Sequence, residues 1–126
     1  MDMARIVVAE DEMIIALDMK RRLERIGHRV VSTVRSGSAA IEQARQLEPD
    51  LLIMDISLDG EIDGLSAVET IWRHRKIPVV FVSGYSDEST RKEIALLSPA
   101  TLVPKPVEDY DLRATIEHVL AVGCVA

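Results

Sequence analysis

The sequence predicts an α/β protein built as (βα)5, a doubly wound five-stranded parallel sheet with helices on both faces. Five short apolar runs alternate with five longer segments whose apolar residues recur every three or four positions. The runs are apolar throughout instead of alternating with polar residues, which is typical of strands covered on both faces. With 126 residues, 48% of them hydrophobic, the chain is expected to form a single domain over residues 1–126.

The first three strands and the two helices between them follow from this pattern. The apolar runs are residues 6–9, 30–34 and 51–54, and the third run ends at Asp55. The first helix closes at Gly27 and the second ends before Pro49, as glycine and proline commonly mark. The inner faces predicted for these helices are Ala16, Met19, Leu23 and Ile26, and then Ala40, Ile41, Ala44 and Leu47.

The second half of the chain continues the alternation after a turn-rich loop at residues 57–64. Strands are predicted at residues 79–82 and 101–103, and Trp72 and Phe81 are expected in the core. The fourth helix is the weakest, because its first half has no apolar residue and only residues 94–97 can anchor it. The inner faces of the third and fifth helices are Leu65, Val68, Ile71 and Trp72, and then Leu112, Ile116, Val119 and Leu120.

Charge and composition disfavour several classes of function. Fifteen Lys and Arg against 21 Asp and Glu give a net charge of −6, which repels nucleic-acid phosphates. The single cysteine, Cys124, cannot form an internal disulfide, so a cytoplasmic location is expected. No apolar stretch approaches the roughly 20 residues that span a bilayer. We expect a stand-alone domain without an output domain, a monomer or weak dimer, that binds neither nucleic acid nor membrane.

Polar side chains follow four of the five predicted strands, at the edge where open parallel sheets bind ligands. Glu10 and Asp11 follow the first strand, and Asp55 ends the third. Ser83 ends the fourth strand and Lys105 follows the fifth. In the flavodoxin-like strand order 2-1-3-4-5, strands one and three are neighbours about 4.8 Å apart, so the three carboxylates converge. The Rossmann order 3-2-1-4 would separate them, and the sequence therefore favours the flavodoxin-like order.

Three carboxylates at one place repel one another, and a cation is the usual remedy. Oxygen ligands without His or Cys suit Mg²⁺, with Mn²⁺ also possible. Lys105 adds a second positive charge, and the Ser83 hydroxyl can donate a hydrogen bond to a phosphoryl oxygen. Asp55 ends the most continuously apolar strand. We therefore predict that Asp55 accepts a phosphoryl group covalently, as carboxylates do in aspartyl phosphates.

Five sequence elements occur in a recognisable order and spacing. They are Val-Ala-Glu-Asp-Glu at residues 8–12, Leu-Ile-Met-Asp-Ile at 52–56, Asp-Gly at 63–64, Pro-Val-Val-Phe-Val-Ser-Gly at 78–84 and Val-Pro-Lys-Pro at 103–106. Over essentially its whole length the chain resembles the receiver domain of bacterial two-component response regulators. The resemblance implies that Asp55 takes a phosphoryl group from a phosphohistidine on a histidine kinase or a histidine phosphotransfer protein.

The same resemblance implies how the metal ion is bound. Asp11 would bind Mg²⁺ directly and Glu10 mostly through water. Asp55 and the backbone carbonyl of Ser57 would complete the protein ligands. The domain would then assist its own phosphorylation and slow dephosphorylation without turning over a diffusing substrate.

The conformational switch departs from the commonest pattern of that family. The resemblance implies that Ser83 and Lys105 contact the phosphoryl group and that the Lys105–Pro106 peptide bond is cis. Many members carry Tyr or Phe three residues before the lysine, where this chain has Leu102. The segment around Ser83 instead resembles a subclass with a Phe-Ala-Thr-Gly motif followed by a variable residue or Tyr. We hypothesise that Tyr85 and the loop after it reorganise on phosphorylation and tilt the fourth helix.

The first helix carries a basic run, Lys20 to Arg22 with Arg25, which is either a solvated face or a docking surface. In response regulators this helix commonly packs against the helical bundle of the histidine-bearing partner. Docking candidates are therefore Met13, Ile14, Arg21, Arg22 and Pro106.

The histidines are not expected to take part in the chemistry. His28, His74 and His118 show no metal-ligand spacing to the cysteine or to the carboxylate cluster. All three are expected at the surface.

Three classes of function compete. A phosphorylation-controlled signalling module needs the acid pair, Asp55, Ser83 and Lys105, all of which are present. It would signal to a downstream protein by conformational change or by relay. A phosphatase with an Asp nucleophile, as in haloacid dehalogenases, needs a second Asp where this chain has Ser57. A phosphate-independent protein-binding module of the same fold stays open, although such relatives usually lose an acid or the lysine.

Overall fold

In the residues that the computed structural model describes, 3–58, 60–84 and 88–123, five strands and five helices alternate. The strands are β1 (Arg5–Ala9), β2 (Arg29–Val34), β3 (Leu51–Asp55), β4 (Val79–Ser83) and β5 (Ala100–Pro104). The helices are α1 (Met13–Ile26), α2 (Gly37–Leu47), α3 (Gly64–Trp72), α4 (Glu88–Ala95) and α5 (Asp109–Gly123). All neighbouring strands are parallel, in the order β2-β1-β3-β4-β5. The predicted flavodoxin-like topology is confirmed.

Each face of the sheet is covered by its own group of helices, because successive strand residues point to opposite sides. Ile6 and Val8 pack with α1 and α5, whereas Val7 and Ala9 pack with α2, α3 and α4. The central strands β3 and β4 are buried at every position, while β2 and β5 are partly exposed at the edges. Burial on both faces therefore explains the uninterrupted apolar runs, and Phe81 is fully buried in β4.

The start of α3 is fixed against the end of β3 by a cap and a close backbone approach. Asp63 Oδ1 accepts a hydrogen bond from the Ser66 amide at 2.8 Å. The Gly64 amide donates to the Ile56 carbonyl at 3.2 Å. A Cβ at position 64 would lie 2.3 Å from the backbone oxygen of Asp55, so only glycine permits this approach. The first turn of α3 consequently lies directly beside Asp55.

The fourth helix has the weakest hold on the sheet, as the sequence predicted. Ile94 is the buried residue of α4, whereas each of the other four helices buries at least three residues. Leu97, just beyond the helix, is half-buried against the same core, and Leu96 is 87% exposed. Among the helices, α4 has the least apolar anchoring to the sheet.

Helix length also bears on the expected absence of membrane spans. Over residues 3–58, 60–84 and 88–123 the longest helix is α5, with 15 residues, fewer than the roughly 20 needed to cross a bilayer. Within the described ranges no helix is long and apolar enough to cross a membrane.

His28 is buried, so the expectation of a surface histidine is wrong at this position. It follows Gly27, whose left-handed φ of 113° ends α1 and turns the chain into β2. The His28 side chain is 4% exposed, and its Nδ1 accepts a hydrogen bond from the Ala4 amide at 3.0 Å. Its Nε2 is buried with no hydrogen-bond partner among the described residues. His74 and His118 are exposed, as expected.

We expect the free energy of unfolding to fall as the pH is lowered through 6.5, the ordinary pKa of histidine. Burial lowers the pKa of His28, the charge of Glu117 opposes this shift, and the charge of Arg113 adds to it. The unfolded chain then binds a proton that the folded chain excludes. The contribution of His28 to stability is therefore fully present above its pKa in the unfolded chain. It is lost as the pH falls toward its lower pKa in the folded chain, by at most about 1.4 kcal/mol per pH unit.

Urea titrations between about pH 5 and 7 measure this effect in the wild type and in His28→Gln. The variant should lose the part of the pH dependence that His28 contributes. Equal slopes in the two proteins would show that His28 does not titrate with folding.

Candidate functional site

The carboxyl ends of β1, β3, β4 and β5 bring together the polar side chains expected there. Glu10 and Asp11 follow β1, and Asp55 is the last residue of β3, which pairs with β1. One carboxylate oxygen from each of these three residues lies within 4.8 Å of the other two. The strand order therefore places three carboxylates at one point on the edge of the sheet.

Asp55 is buried, with 6% of its surface exposed, and two contacts hold its carboxylate in a fixed orientation. Its Oδ1 accepts a hydrogen bond from the Ser57 amide at 2.9 Å, in the turn that follows β3. Its Oδ2 lies 3.2 Å from the Lys105 ammonium. Each oxygen of Asp55 thus has a hydrogen-bond donor, and these two contacts fix the carboxylate at the end of β3.

Glu10 is 5% exposed, and its surroundings raise the pKa of its carboxyl to about 7. Burial is the largest cause, and the Asp11 side chain and the charge of Asp55 add to it. The Glu12 amide, 3.1 Å from Oε2, and the Lys105 ammonium, 3.1 Å from Oε1, favour the charged form. The outcome is a carboxyl group that is partly protonated at neutral pH.

Lys105 reaches from the edge strand to the acids. Its amide donates to the Ser83 carbonyl at 2.8 Å, one residue beyond the Ser83–Pro104 pair of β4 and β5. Burial disfavours the ammonium, but the hydrogen bond to Glu10 and the charge of Asp55 outweigh it and raise the pKa of Lys105. Lys105 is therefore positively charged at neutral pH and partly offsets the acids.

Two further features of the site match the sequence-based expectations. Ser83 is 3% exposed at the end of β4, the strand between Asp55 and Lys105. The Lys105–Pro106 peptide bond is cis. The charged and hydroxyl groups expected at the strand ends thus border one small region.

The site supplies only oxygen ligands, which suit a hard divalent cation such as Mg²⁺ or Mn²⁺. A bound cation would offset the repulsion among Glu10, Asp11 and Asp55. An open cleft of about 410 Å³ adjoins the acids and is bordered by α1 and residues 105–107. It leaves space for an incoming group next to Asp55.

We expect Mg²⁺ affinity to rise with pH through the pKa of Glu10, about 7 in the metal-free protein. The metal requires charged carboxylates, so binding must displace the Glu10 proton below this pKa but not above it. One displaced proton makes the affinity rise by up to about tenfold per pH unit on the acid side. Calorimetric Mg²⁺ titrations at several pH values, in buffers of different ionisation enthalpy, count the released protons. Glu10→Gln should release none, and a pH-independent wild-type affinity would contradict the prediction.

Comparison with protein-family models identifies the family of this chain. Residues 6–117 match the model of the response regulator receiver domain. The chain belongs to the response regulator receiver domain family. This receiver domain is therefore of the kind found in two-component signal transduction, as the resemblance in its motifs indicated.

The receiver domain is similar to regulators from several bacteria. It is 32% identical over 121 residues to the phyllosphere-induced regulator PhyR of Methylorubrum extorquens. It is 30% identical over 113 residues to the transcriptional regulatory protein PdtaR of Mycobacterium tuberculosis. These alignments cover 94% and 90% of this chain but only 45% and 55% of the two relatives. The chain thus spans about half the length of the curated relatives it matches.

Solved structures share the fold of the receiver domain. The signal receiver domain of a modulated diguanylate cyclase from Desulfovibrio desulfuricans G20 superposes with a TM-score of 0.85 at 25% identity, covering 95% of each chain. The PhyR receiver domain of Erythrobacter litoralis gives a TM-score of 0.81 at 27% identity, covering 94% of this chain and 91% of that chain. Both support the flavodoxin-like receiver topology.

Several expected residues do not belong to the acid cluster or lie outside the described ranges. Tyr85, the switch candidate, lies outside the described residues. Leu102, at the position where many receivers carry an aromatic residue, is half-buried in β5. Met13 and Ile14, at the start of α1, are 70% and 83% exposed.

Arg22, a docking candidate in the sequence, is largely buried and paired with a residue of α5. Its side chain is 15% exposed, and its Nε donates to Asp109 Oδ1 at 2.6 Å at the start of α5. It also donates to the Val107 carbonyl, and Arg25 contacts Asp109 at 3.2 Å. The hydrogen bond from Arg22 lowers the pKa of Asp109. Arg22 thus joins α1 to the segment after Lys105, whereas Arg21 is exposed.

Sequence reasoning missed this contact because Arg22 and Asp109 are 87 positions apart. The only available signal was that Arg22 precedes Leu23, which lies on the inner face of α1. A long basic side chain at that boundary can lie against a neighbouring helix.

Proposed function

We propose that the domain accepts a phosphoryl group on Asp55 from a phosphohistidine of a histidine kinase or a histidine phosphotransfer protein, and signals through the modified state. The observation that carries this proposal is the Asp55 carboxylate, which lies within the acid cluster and 3.2 Å from the Lys105 ammonium. A carboxylate next to a fixed cation provides a nucleophile and a charge partner for the transferred group.

In the proposed step an Asp55 oxygen attacks the phosphorus atom of the donor. The phosphorus–nitrogen bond to the histidine breaks, and its electron pair remains on the imidazole, which takes up a proton. Lys105 then turns from the carboxylates to the phosphoryl oxygens, and the Ser83 hydroxyl donates a hydrogen bond to one of them. The cleft of about 410 Å³ beside Asp55 gives the donor ring access.

Glu10, Asp11, Asp55 and the backbone carbonyl of Ser57 are the proposed ligands of Mg²⁺. The ion would supply positive charge to the phosphoryl oxygens as charge builds up on them. Its recruitment accounts for three carboxylates placed within 4.8 Å of one another. In this proposal Lys105 and the acids position the reacting groups.

The modified domain would act through another protein and not by turning over a diffusing substrate. Related chains are described as an anti-anti-sigma factor, the PhyR of Bartonella quintana, and as a transcriptional regulatory protein, PdtaR. A downstream regulatory protein is therefore the proposed target, and the cytoplasm is the proposed location. Conformational change or phosphoryl relay would carry the signal.

Acetyl phosphate tests the proposed acceptor directly. Incubation with Mg²⁺ should add the mass of one phosphoryl group, and borohydride reduction followed by peptide mass spectrometry should place it at Asp55. Chelation of the metal should suppress the reaction. No uptake under either condition would favour the phosphate-independent binding module, and modification elsewhere would contradict the assignment of Asp55.

The exposed apolar start of α1 is the proposed docking surface for the phosphoryl donor. Met13, Ile14 and Leu17 are 70%, 83% and 46% exposed, and all three belong to the first two turns of α1, which begins two residues after Asp11. We expect Ile14→Asp to slow phosphotransfer from a phosphorylated donor protein by about tenfold, since an apolar contact is replaced by a charge.

Phosphorylation by acetyl phosphate serves as the control, because a small donor needs no docking surface. Ile14→Asp should leave it unchanged. Equal loss with both donors would instead place the defect in the site itself.

A further inference from the structure

A second cleft lies at the opposite end of the molecule, between the carboxyl-terminal halves of α2 and α3. Its volume is about 420 Å³, within the range of about 300–1,000 Å³ typical of ligand pockets. At their other end the start of α2 lies close to the loop before α3, since a Cβ on Gly37 would lie 2.5 Å from the Ile62 carbonyl oxygen. The cleft opens at the amino ends of β3 and β4, away from Asp55.

The floor of this cleft is apolar. Ile71 and Ile77 are buried at 4% and 2% exposure, and Ala44 is buried with them. Ile41 is half-buried on the α2 side. Because these side chains are recessed, they can receive an apolar group but cannot themselves protrude into another surface.

The rim of the cleft is basic, although the chain as a whole carries a net charge of −6. Arg45 of α2 and His74 and Arg75 beyond α3 line it, with Glu48 as the acidic residue of the lining. Arg75 belongs to a run of exposed residues, Arg73-His74-Arg75-Lys76. Within the described part of the chain, no carboxylate oxygen lies within 4.0 Å of Arg45, Arg73 or Arg75.

The side chains of this run are not needed to end α3. The backbone amides of His74 and Arg75 already donate to the Ile71 carbonyl at 3.0 and 3.1 Å, and the Arg73 amide donates to Thr70 at 3.2 Å. The Arg73 and Arg75 side chains are therefore free of a capping role and are exposed beside the apolar floor, whereas the Lys76 ammonium lies over the Trp72 ring at 5.2 Å.

We propose that this cleft, the α2–α3 cleft, binds an acidic segment of a partner protein, with an apolar side chain on the floor and carboxylates at Arg45 and Arg75. A basic rim around an apolar groove is complementary to an acidic amphipathic helix or strand. A membrane surface fits less well, because insertion into lipid requires protruding apolar side chains, and the isoleucines here are recessed. The proposal does not depend on phosphorylation of Asp55.

The test uses the full chain and a fluorescein-labelled amphipathic peptide of glutamate, leucine and alanine, with a matched peptide in which glutamine replaces each glutamate. Fluorescence anisotropy should show the acidic peptide binding the wild type about tenfold more tightly than the glutamine peptide. The double variant Arg45→Glu/Arg75→Glu should lose about tenfold in affinity for the acidic peptide.

Arg91→Glu/Arg113→Glu is the matched control, since it changes the net charge equally at exposed sites on α4 and α5. It should retain the wild-type affinity at physiological salt, where distant charges are screened. If the charge-reversed double variant does not fold by circular dichroism, Arg45→Gln/Arg75→Gln replaces it.

Three results would overturn the proposal. They are equal affinities of the wild type for the two peptides, equal losses in the cleft and control variants, and binding to phosphatidylserine vesicles that the cleft variant alone abolishes. The last result would assign the basic rim to a membrane surface instead of a protein segment.

Discussion

If Asp55 is the covalent acceptor, we expect the Asp55→Ala variant to take up at least about a hundredfold less phosphoryl group from acetyl phosphate than the wild type. The Asp55 carboxylate is the one between the Ser57 amide and the Lys105 ammonium, at 2.9 and 3.2 Å. Glu10 also contacts Lys105, at 3.1 Å, and remains in the variant as a competing acceptor. Phosphate-affinity electrophoresis and intact-protein mass measure the uptake.

Asp63→Ala supplies the matched control for this experiment. Asp63 is an exposed residue in the loop that follows β3, but its carboxylate caps α3 by accepting a hydrogen bond from the Ser66 amide. Its loss should cost about 1 kcal/mol of stability and leave phosphorylation intact. Uptake by Asp55→Ala would show that Glu10 or another group is the acceptor, and loss of uptake in Asp63→Ala would show that removing any nearby carboxylate is enough.

Gly64→Ala is expected to destabilise the fold by about 3 kcal/mol and to lower Tm by about 10 °C. The added Cβ would lie 2.3 Å from the Asp55 carbonyl oxygen and 3.0 Å from Met54 Cγ. Helix propensity acts in the opposite direction, because alanine is favoured over glycine by up to about 1 kcal/mol. The steric cost is larger, since a backbone atom cannot move aside as a flexible side chain can.

Gly84→Ala is the control for this substitution. A Cβ there would meet Lys105 Cδ at 3.9 Å, an ordinary van der Waals distance, and Gly84 has no positive φ. Thermal and urea unfolding of both variants measure the two free energies. A stability of Gly64→Ala equal to that of Gly84→Ala would mean that α3 can shift away from β3 without cost.

The strands were predictable because their signal is local. Each apolar run, such as residues 51–54, needs only its own composition and its bounding turn residues to be recognised. The convergence of Glu10, Asp11 and Asp55 also followed, since the strand order that brings them together was inferred from the polar residues at the strand ends. The acid cluster is therefore a consequence of features visible in the sequence.

The burial of His28 and the contact of Arg22 with Asp109 were not predictable in the same way. Both depend on which segment lies opposite after folding: Ala4 for His28 and the start of α5 for Arg22. The α2–α3 cleft likewise depends on how far two helices separate at one end. Residue patterns specify which face of an element is apolar, but not the distance between elements.

The pair of Lys105 and Glu10 joins positions that are 95 residues apart, at 3.1 Å. During synthesis the acids and the third strand leave the ribosome long before their cationic partner does. A growing chain therefore holds its carboxylates without the ammonium until the last strand has emerged and docked at the edge of the sheet. Lys105 is added only after about five-sixths of this sequence has been translated, so every shorter chain lacks the ammonium that lies beside Glu10 and Asp55 in the folded domain.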